Sequence, residues 1–224
     1  MQIIQHQVYK EQIHLCLSGD LLNRIILLIS AVFLTALAGV SLAQDGAGEG
    51  NATMNVLSHD SGANISQMNT TLYSAVDDWG IYAYSIGETV KFTAPRDGWK
   101  LQQIRILGHN GYNGTAMPIP ENFLLEVRDE DLKLLYQFAD TQNAYFSFES
   151  PVLRAIDIPA LPLQGDFYII FYDRGTMEIG MEAEKGTGNS FFYNSLNGEL
   201  IPAEFKIENS EATKVNWVIR AVGE

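Results

Sequence analysis

The chain is almost without cysteine: of 224 residues only Cys16 is one. It lies ahead of a long apolar run, so everything after that run lacks a disulfide framework, a cysteine nucleophile and a thiolate metal site. Clustered cations are missing as well. With 14 Lys and Arg against 27 Asp and Glu the formal net charge is −13. No run of adjacent basic residues offers a phosphate-binding surface, which argues against a nucleic-acid partner. Catalytic signatures are absent too. No G-x-S-x-G, H-E-x-x-H or D-x-D-x-D-G stretch occurs, and no segment carries a long helical period.

What remains is an ordinary globular composition, 46% hydrophobic and 18% charged, preceded by an export-like segment. Residues 25–43, IILLISAVFLTALAGVSLA, contain no charge and follow Arg24. Their length is close to the ~20 residues that a membrane-crossing helix needs. The last third is Ala, Gly and Ser, and Ser41-Leu42-Ala43 has the small-x-small form of a signal-peptidase site. Val40 stands where a lipoprotein box would need its cysteine, so no lipid is expected. Residues 1–43 are therefore read as an N-terminal extension followed by a hydrophobic helix. That helix is either a cleaved signal peptide or a membrane anchor, and both place the remainder at the cell surface or outside the cell.

Residues 44–72 are rich in Gly, Asn, Ser and Thr without a strand or helix period, and are expected to be a flexible linker. Asn51, Asn64 and Asn69 there, and Asn113 further on, are N-x-S/T glycosylation acceptors if the chain is exported into a cell with the transferase.

From Tyr73 the pattern changes to short β-branched and aromatic runs separated by turn residues. Strands are expected near 80–84, 88–93, 100–107, 122–128, 132–138, 152–158, 166–172, 176–181, 189–193 and 214–221. In NFLLEVRD, Phe123, Leu125 and Val127 share one face. In VNWVIRAV, Val215, Trp217, Ile219 and Ala221 do the same, which buries Trp217. DFYIIFY is apolar on both faces and reads as a central, doubly covered strand. Trp99, after the turn Pro95-Arg96-Asp97-Gly98, seats the next strand on the core. The expected fold class is all-β: residues 73–224 as an antiparallel two-sheet β-sandwich, of jelly-roll form. A domain of this size buries roughly 68–70% of its unfolded surface and needs no disulfides.

GETVKFTAPRDGWKLQQIRILGH, FLLEVRDEDLKLLY, IDIPALPLQGDFYIIFY and the closing NWVIRAVG together resemble an exported β-sandwich domain of archaeal and bacterial surface proteins. The resemblance covers about residues 79–223 and implies a jelly-roll-like sandwich. It brings no catalytic residues with it.

Several groups of residues compete for a functional role. Asp129 and Asp131, either side of Glu130, could hold a structural Ca²⁺, although Asp between two alternating strands also makes a hairpin turn. No other cofactor is expected. Glu178, Glu182 and Glu184, with Asp173, are expected on a solvated face. Glu178 and Glu182, on one side of a regular strand, would be about 13 Å apart, too far for a glycosidase pair. His109 reads as a loop residue. Trp79, Tyr82, Tyr84 and Tyr112 either fill the sandwich or form an exposed aromatic platform, on which sugar C–H faces would stack. The expected function is a non-enzymatic surface module that binds a glycan or envelope protein, or acts as a display or spacer domain. A secreted hydrolase with a loop-built site and a purely structural envelope subunit are the alternatives.

Overall fold

Apolar alternation along the strands becomes a set of inward rows between two sheets. The computed structural model describes residues 54–62, 64–110, 122–174, 177–183, 186–206 and 211–224. In chain order the first strands are β1 Asn55–Leu57, β2 Thr70–Tyr73, β3 Ile86–Thr93, β4 Trp99–His109 and β5 Asn122–Asp129. Then come β6 Leu134–Thr141, β7 Val152–Leu163, β8 Asp166–Tyr172, β9 Glu178–Glu182 and β10 Ser190–Asn194. The last are β11 Glu199–Pro202, β12 Glu204–Phe205, β13 Thr213–Lys214, β14 Asn216–Trp217 and β15 Ile219–Gly223. Two short α-helices, α1 Ala75–Trp79 and α2 Gln142–Tyr145, and two 3₁₀ turns complete the described elements. None of the described helices is long and apolar enough to cross a membrane.

One sheet runs β1-β15-β4-β9-β14, with β2 added to β9 and β7 to β4; the other runs β11-β10-β3-β8-β5-β6. All pairings within them are antiparallel. Phe123, Leu125 and Val127 of β5, and Phe167, Ile169 and Phe171 of β8, face Leu101, Ile104 and Ile106 of β4 in one continuous core. A register shift between Leu101 and Gln103 lets Leu101 and Ile104 both point inward although they are three residues apart. Trp217, Ile219 and Ala221 close the core from the last strands, and Trp99 stacks on Phe167 with centroids 5.8 Å apart.

β8 is central, as its sequence implies, and its other face is also covered. Ile170 and Tyr172 join Leu124 and Tyr193 in a second cluster outside the sandwich core. Above that layer the Glu126 carboxylate accepts from Arg128 Nε at 2.8 Å, Gln137 Nε2 at 3.2 Å and the Tyr172 hydroxyl at 3.2 Å. Arg128 in turn lies over the Tyr193 ring, 5.0 Å from its centroid.

Two expectations need correction. The described part of 44–72 is not a linker. β1 pairs with β15 and β2 with β9, and between them Arg220 grips Asp60 through two hydrogen bonds of 2.9 and 2.8 Å. Composition hid these contacts because each is made with residues far along the chain. Nor is 80–84 a strand. Gly80, at φ 55°, ends α1, and Gly80–Ser85 continues as a 3₁₀ turn. Only Ala83 of that turn is buried while Ile81, Tyr82 and Tyr84 are exposed, so the turn has no apolar face to bury against a sheet. The expected N-terminal hydrophobic helix of residues 1–43 lies outside the described residues, as do Asn51 and Asn113. Asn64 and Asn69 are on the surface, and Asn64 caps a 3₁₀ turn by accepting from Ser66 N at 3.4 Å.

Candidate functional site

The site begins with the turn out of β2. Tyr73 ends that strand facing the core, and α1 then carries the chain back so that Trp79 stands beside it. The Trp79 Nε1–H donates to the Tyr73 hydroxyl at 3.1 Å. The Asp78 carboxylate lies near enough for its charge to act on the Tyr73 hydroxyl. Burial first, then the charges of Asp78 and Glu88, push the Tyr73 hydroxyl far above the ordinary tyrosine range. It therefore stays neutral and keeps the indole oriented.

Around this pair stand three more rings. Phe192 lies 5.6 Å from Tyr73 and 5.7 Å from Trp79, Phe205 lies 5.3 Å from Tyr73, and Trp217 lies 5.2 Å from Tyr73. Most meet edge to face or tilted, the geometry aromatic quadrupoles prefer. Trp217 is fixed at the back by Nε1–H donation to the Phe191 carbonyl at 3.0 Å. In front is an open cleft of about 370 Å³, walled by Trp79, Phe192, Phe205, Ile201 and Pro202, with Asp78, Glu204 and Lys206 at its edge. Trp79 is half-buried: one side packs on the core and the other lines the cleft.

Tyr82 and Tyr84, 63% and 53% exposed, stand apart from this wall on the neighbouring 3₁₀ turn beside Ile81, and Tyr112 lies outside the described residues. The structure thus joins Trp79 to Phe192 and Phe205, which the sequence does not single out. Phe192 sits among equally aromatic neighbours in SFFYN, and Phe205 is an isolated ring in AEFKI. Their role is visible only through pairing.

Behind the wall is a second feature that sequence reading passes over. Glu88 lies in the inward row of β3, opposite Phe192 of β10 and Phe171 of β8, and is wholly buried. Neither of its carboxyl oxygens has a hydrogen-bond partner. Asp173, also wholly buried, follows β8 on the same face, where its Oδ2 accepts from Ala75 N at 3.3 Å. Burial, then the Asp173 charge, hold the Glu88 carboxyl well above the usual range, against a small opposing pull from its own backbone N–H.

The other expected candidates have local roles. Asp129 Oδ1 accepts from Asp131 N at 3.1 Å and Lys133 N at 2.9 Å, closing the β5–β6 hairpin over Leu132 at φ 62°. Asp131 is exposed, and among the described residues no group of three or more His, Cys, Asp or Glu is placed to hold a metal ion. Glu182 is not solvated as expected. It is buried and accepts from Ser61 N at 2.7 Å and Ser61 Oγ at 2.6 Å, holding the loop after β1. His109 ends β4. Its Nδ1 faces Glu178 Oε2 at 2.9 Å and its Nε2 the Phe148 carbonyl at 3.2 Å.

A second hollow of about 340 Å³ lies between β1 and β3, lined by Val56, Leu57, Ser58, His59, Phe92 and Thr93. There His59 stacks on Phe92 and donates Nε2–H to the Lys91 carbonyl at 2.8 Å, leaving Nδ1 as acceptor for Asn189 at 3.4 Å. The lining of the hollow includes no Lys, Arg, Asp or Glu. No protein-family model matches the chain, and no curated protein matches it.

Proposed function

We propose that the domain is a non-enzymatic carbohydrate-binding module, a jelly-roll-like sandwich displayed at the cell surface or secreted, with its ligand seated in the Trp79 cleft. One observation carries this reading: a half-exposed indole, oriented by its own N–H, stands in an aromatic wall whose edge presents two carboxylates and an ammonium. Sugars need both kinds of contact. Their C–H faces stack on rings while hydroxyls bond to Asp, Glu and Lys. Glu88 takes no direct part because it is wholly buried. Export rests on the reading of residues 25–43, and attachment to the envelope on the likeness to surface-protein sandwiches.

Screening the purified protein on a glycan array, alongside Trp79→Ala, tests the proposal. Retention of one oligosaccharide class is expected, weakened about tenfold by the substitution, which corresponds to ~1.4 kcal/mol of lost stacking. If no glycan is retained, or if Trp79→Ala binds equally well, the cleft is not a sugar site and the spacer role becomes the better reading.

A further inference from the structure

We infer that Glu88 is a neutral carboxylic acid in the folded protein, and that its ionisation at alkaline pH loosens the seam between β3, β8 and β10 behind the aromatic cleft. The inference is independent of what the cleft binds. Its basis is geometric. β3 and β8 pair with Glu88 opposite Phe171, so Asp173, two residues on, is the diagonal neighbour of Glu88 on the same inward face. Such diagonal positions are roughly 7–8 Å apart, within reach of long side chains. Both residues have no exposure, and the two Glu88 oxygens meet no donor from any other residue.

A carboxylate in that position would need donors or a counter-charge to offset the lost hydration, whereas a protonated acid needs much less. Other groups nearby favour the neutral form. Tyr73 of β2, whose hydroxyl accepts from the Trp79 indole and lies near Asp78, brings no positive charge to a carboxylate there. The residue opposite on β10 is Phe192, which is apolar. Arg174, the cation next to Asp173, has its guanidinium over the Tyr172 ring, on the outer face of the sheet. The raised titration of Glu88 agrees with this placement, burial being its largest cause and Asp173 the next.

The direction of the pH effect follows from linkage. A group that keeps its proton longer in the folded state stabilises that state fully at pH below its unfolded value. The stabilisation is lost as pH rises towards the folded value. Phe192 forms the cleft wall directly opposite Glu88, so the strain of ionisation is delivered to the cleft first.

The test is denaturant unfolding of the full chain from mildly acidic to alkaline pH, for wild type, Glu88→Gln and Glu88→Met, with tryptophan emission as a second signal. Wild type should lose about tenfold in its folding constant per pH unit relative to both variants, the effect of one proton. Its native-state emission should stay constant along that slope and shift red only where the slope levels off, because that is where the folded carboxyl itself ionises, while the variants stay flat. Infrared spectra of the wild type should also show a protonated-carboxyl carbonyl band at neutral pH, so the inference remains testable if a variant does not fold. Equal pH slopes in wild type and a folded variant would overturn it. So would absence of the infrared band, or a wild-type slope that added calcium abolishes, since a cation would then be the compensating charge.

Discussion

Two tryptophans separate stability from binding at the scale of single residues. Trp217 is wholly buried, donates both its main-chain N–H, to Ser190 Oγ at 3.0 Å, and its indole N–H, and touches Tyr73, Phe192 and Phe205. Replacing such a residue with Ala typically costs about 3–5 kcal/mol, a large part of the ~5–15 kcal/mol that holds a domain together. Trp217→Ala should therefore be unfolded or protease-sensitive at ambient temperature. Trp79→Ala loses one hydrogen bond to Tyr73, about 1 kcal/mol, and only part of its ring contact, so its melting curve should move by a few degrees. Comparing the two melts decides the matter; if Trp79→Ala is the more damaging, Trp79 is a core residue and the cleft loses its claim. Trp217 was legible because Val215, Trp217, Ile219 and Ala221 alternate within one short stretch. Glu88 was not, since GETVKF reads as a strand whichever way it faces. Only the pairing with Phe171 and Phe192 turns its carboxyl inward.

At the scale of elements, the segment from β1 to β2 shows where local reading stops working. Strands of three and four residues, NVL and TTLY, carry too few side chains for a period to emerge, and the connection between them is mostly polar. What orders the segment is a set of partners distant in sequence: Gly223, Val222 and Ala221 for β1, Glu182 for Ser61, and Arg220 for Asp60. The Asp60 carboxylate has no exposure and Arg220 is close to buried. Removing one member of such a pair leaves a buried charge uncompensated, at a typical cost of about 3–5 kcal/mol. Asp60→Ala should accordingly release residues 54–68 to proteolysis and lower the melting temperature. The double variant Asp60→Leu with Arg220→Met should recover much of the loss, because apolar replacement of both partners removes the stranded charge. Limited proteolysis with mass analysis would read both effects. A double variant no better than Asp60→Ala would mean that the bidentate geometry itself, and not charge compensation, holds the segment.

The whole molecule depends on a strand from the far end of the sequence. Hairpins such as β5–β6 and β10–β11 are local, and their turn residues announce them: Asp129 to Lys133 for one, Gly198 at φ 75° for the other. The sheet containing β4 is different. β15 lies between β1 and β4, pairing Val222 with Val56 on one side and Ile106 with Ile219 on the other. It also contributes Ile219 and Ala221 to the core, and Arg220 to the clamp on Asp60. Non-local pairing of this kind makes sandwiches fold in milliseconds to seconds, because loop-closure entropy is lost before contacts compensate. Deleting residues 219–224 would remove a fully buried Ile, worth roughly 1.5–3 kcal/mol by itself, together with the main-chain ladder on both sides. β1 would be left with no partner, and Ile104 and Ile106 would lose a neighbouring strand. The deletion should therefore abolish cooperative unfolding and not merely lower its midpoint. Far-UV circular dichroism during a urea titration is the direct measurement. A truncated chain with a sharp transition would show that β4, β7 and β9 hold their sheet without β15, and that the C-terminal strand is an addition to a fold already complete.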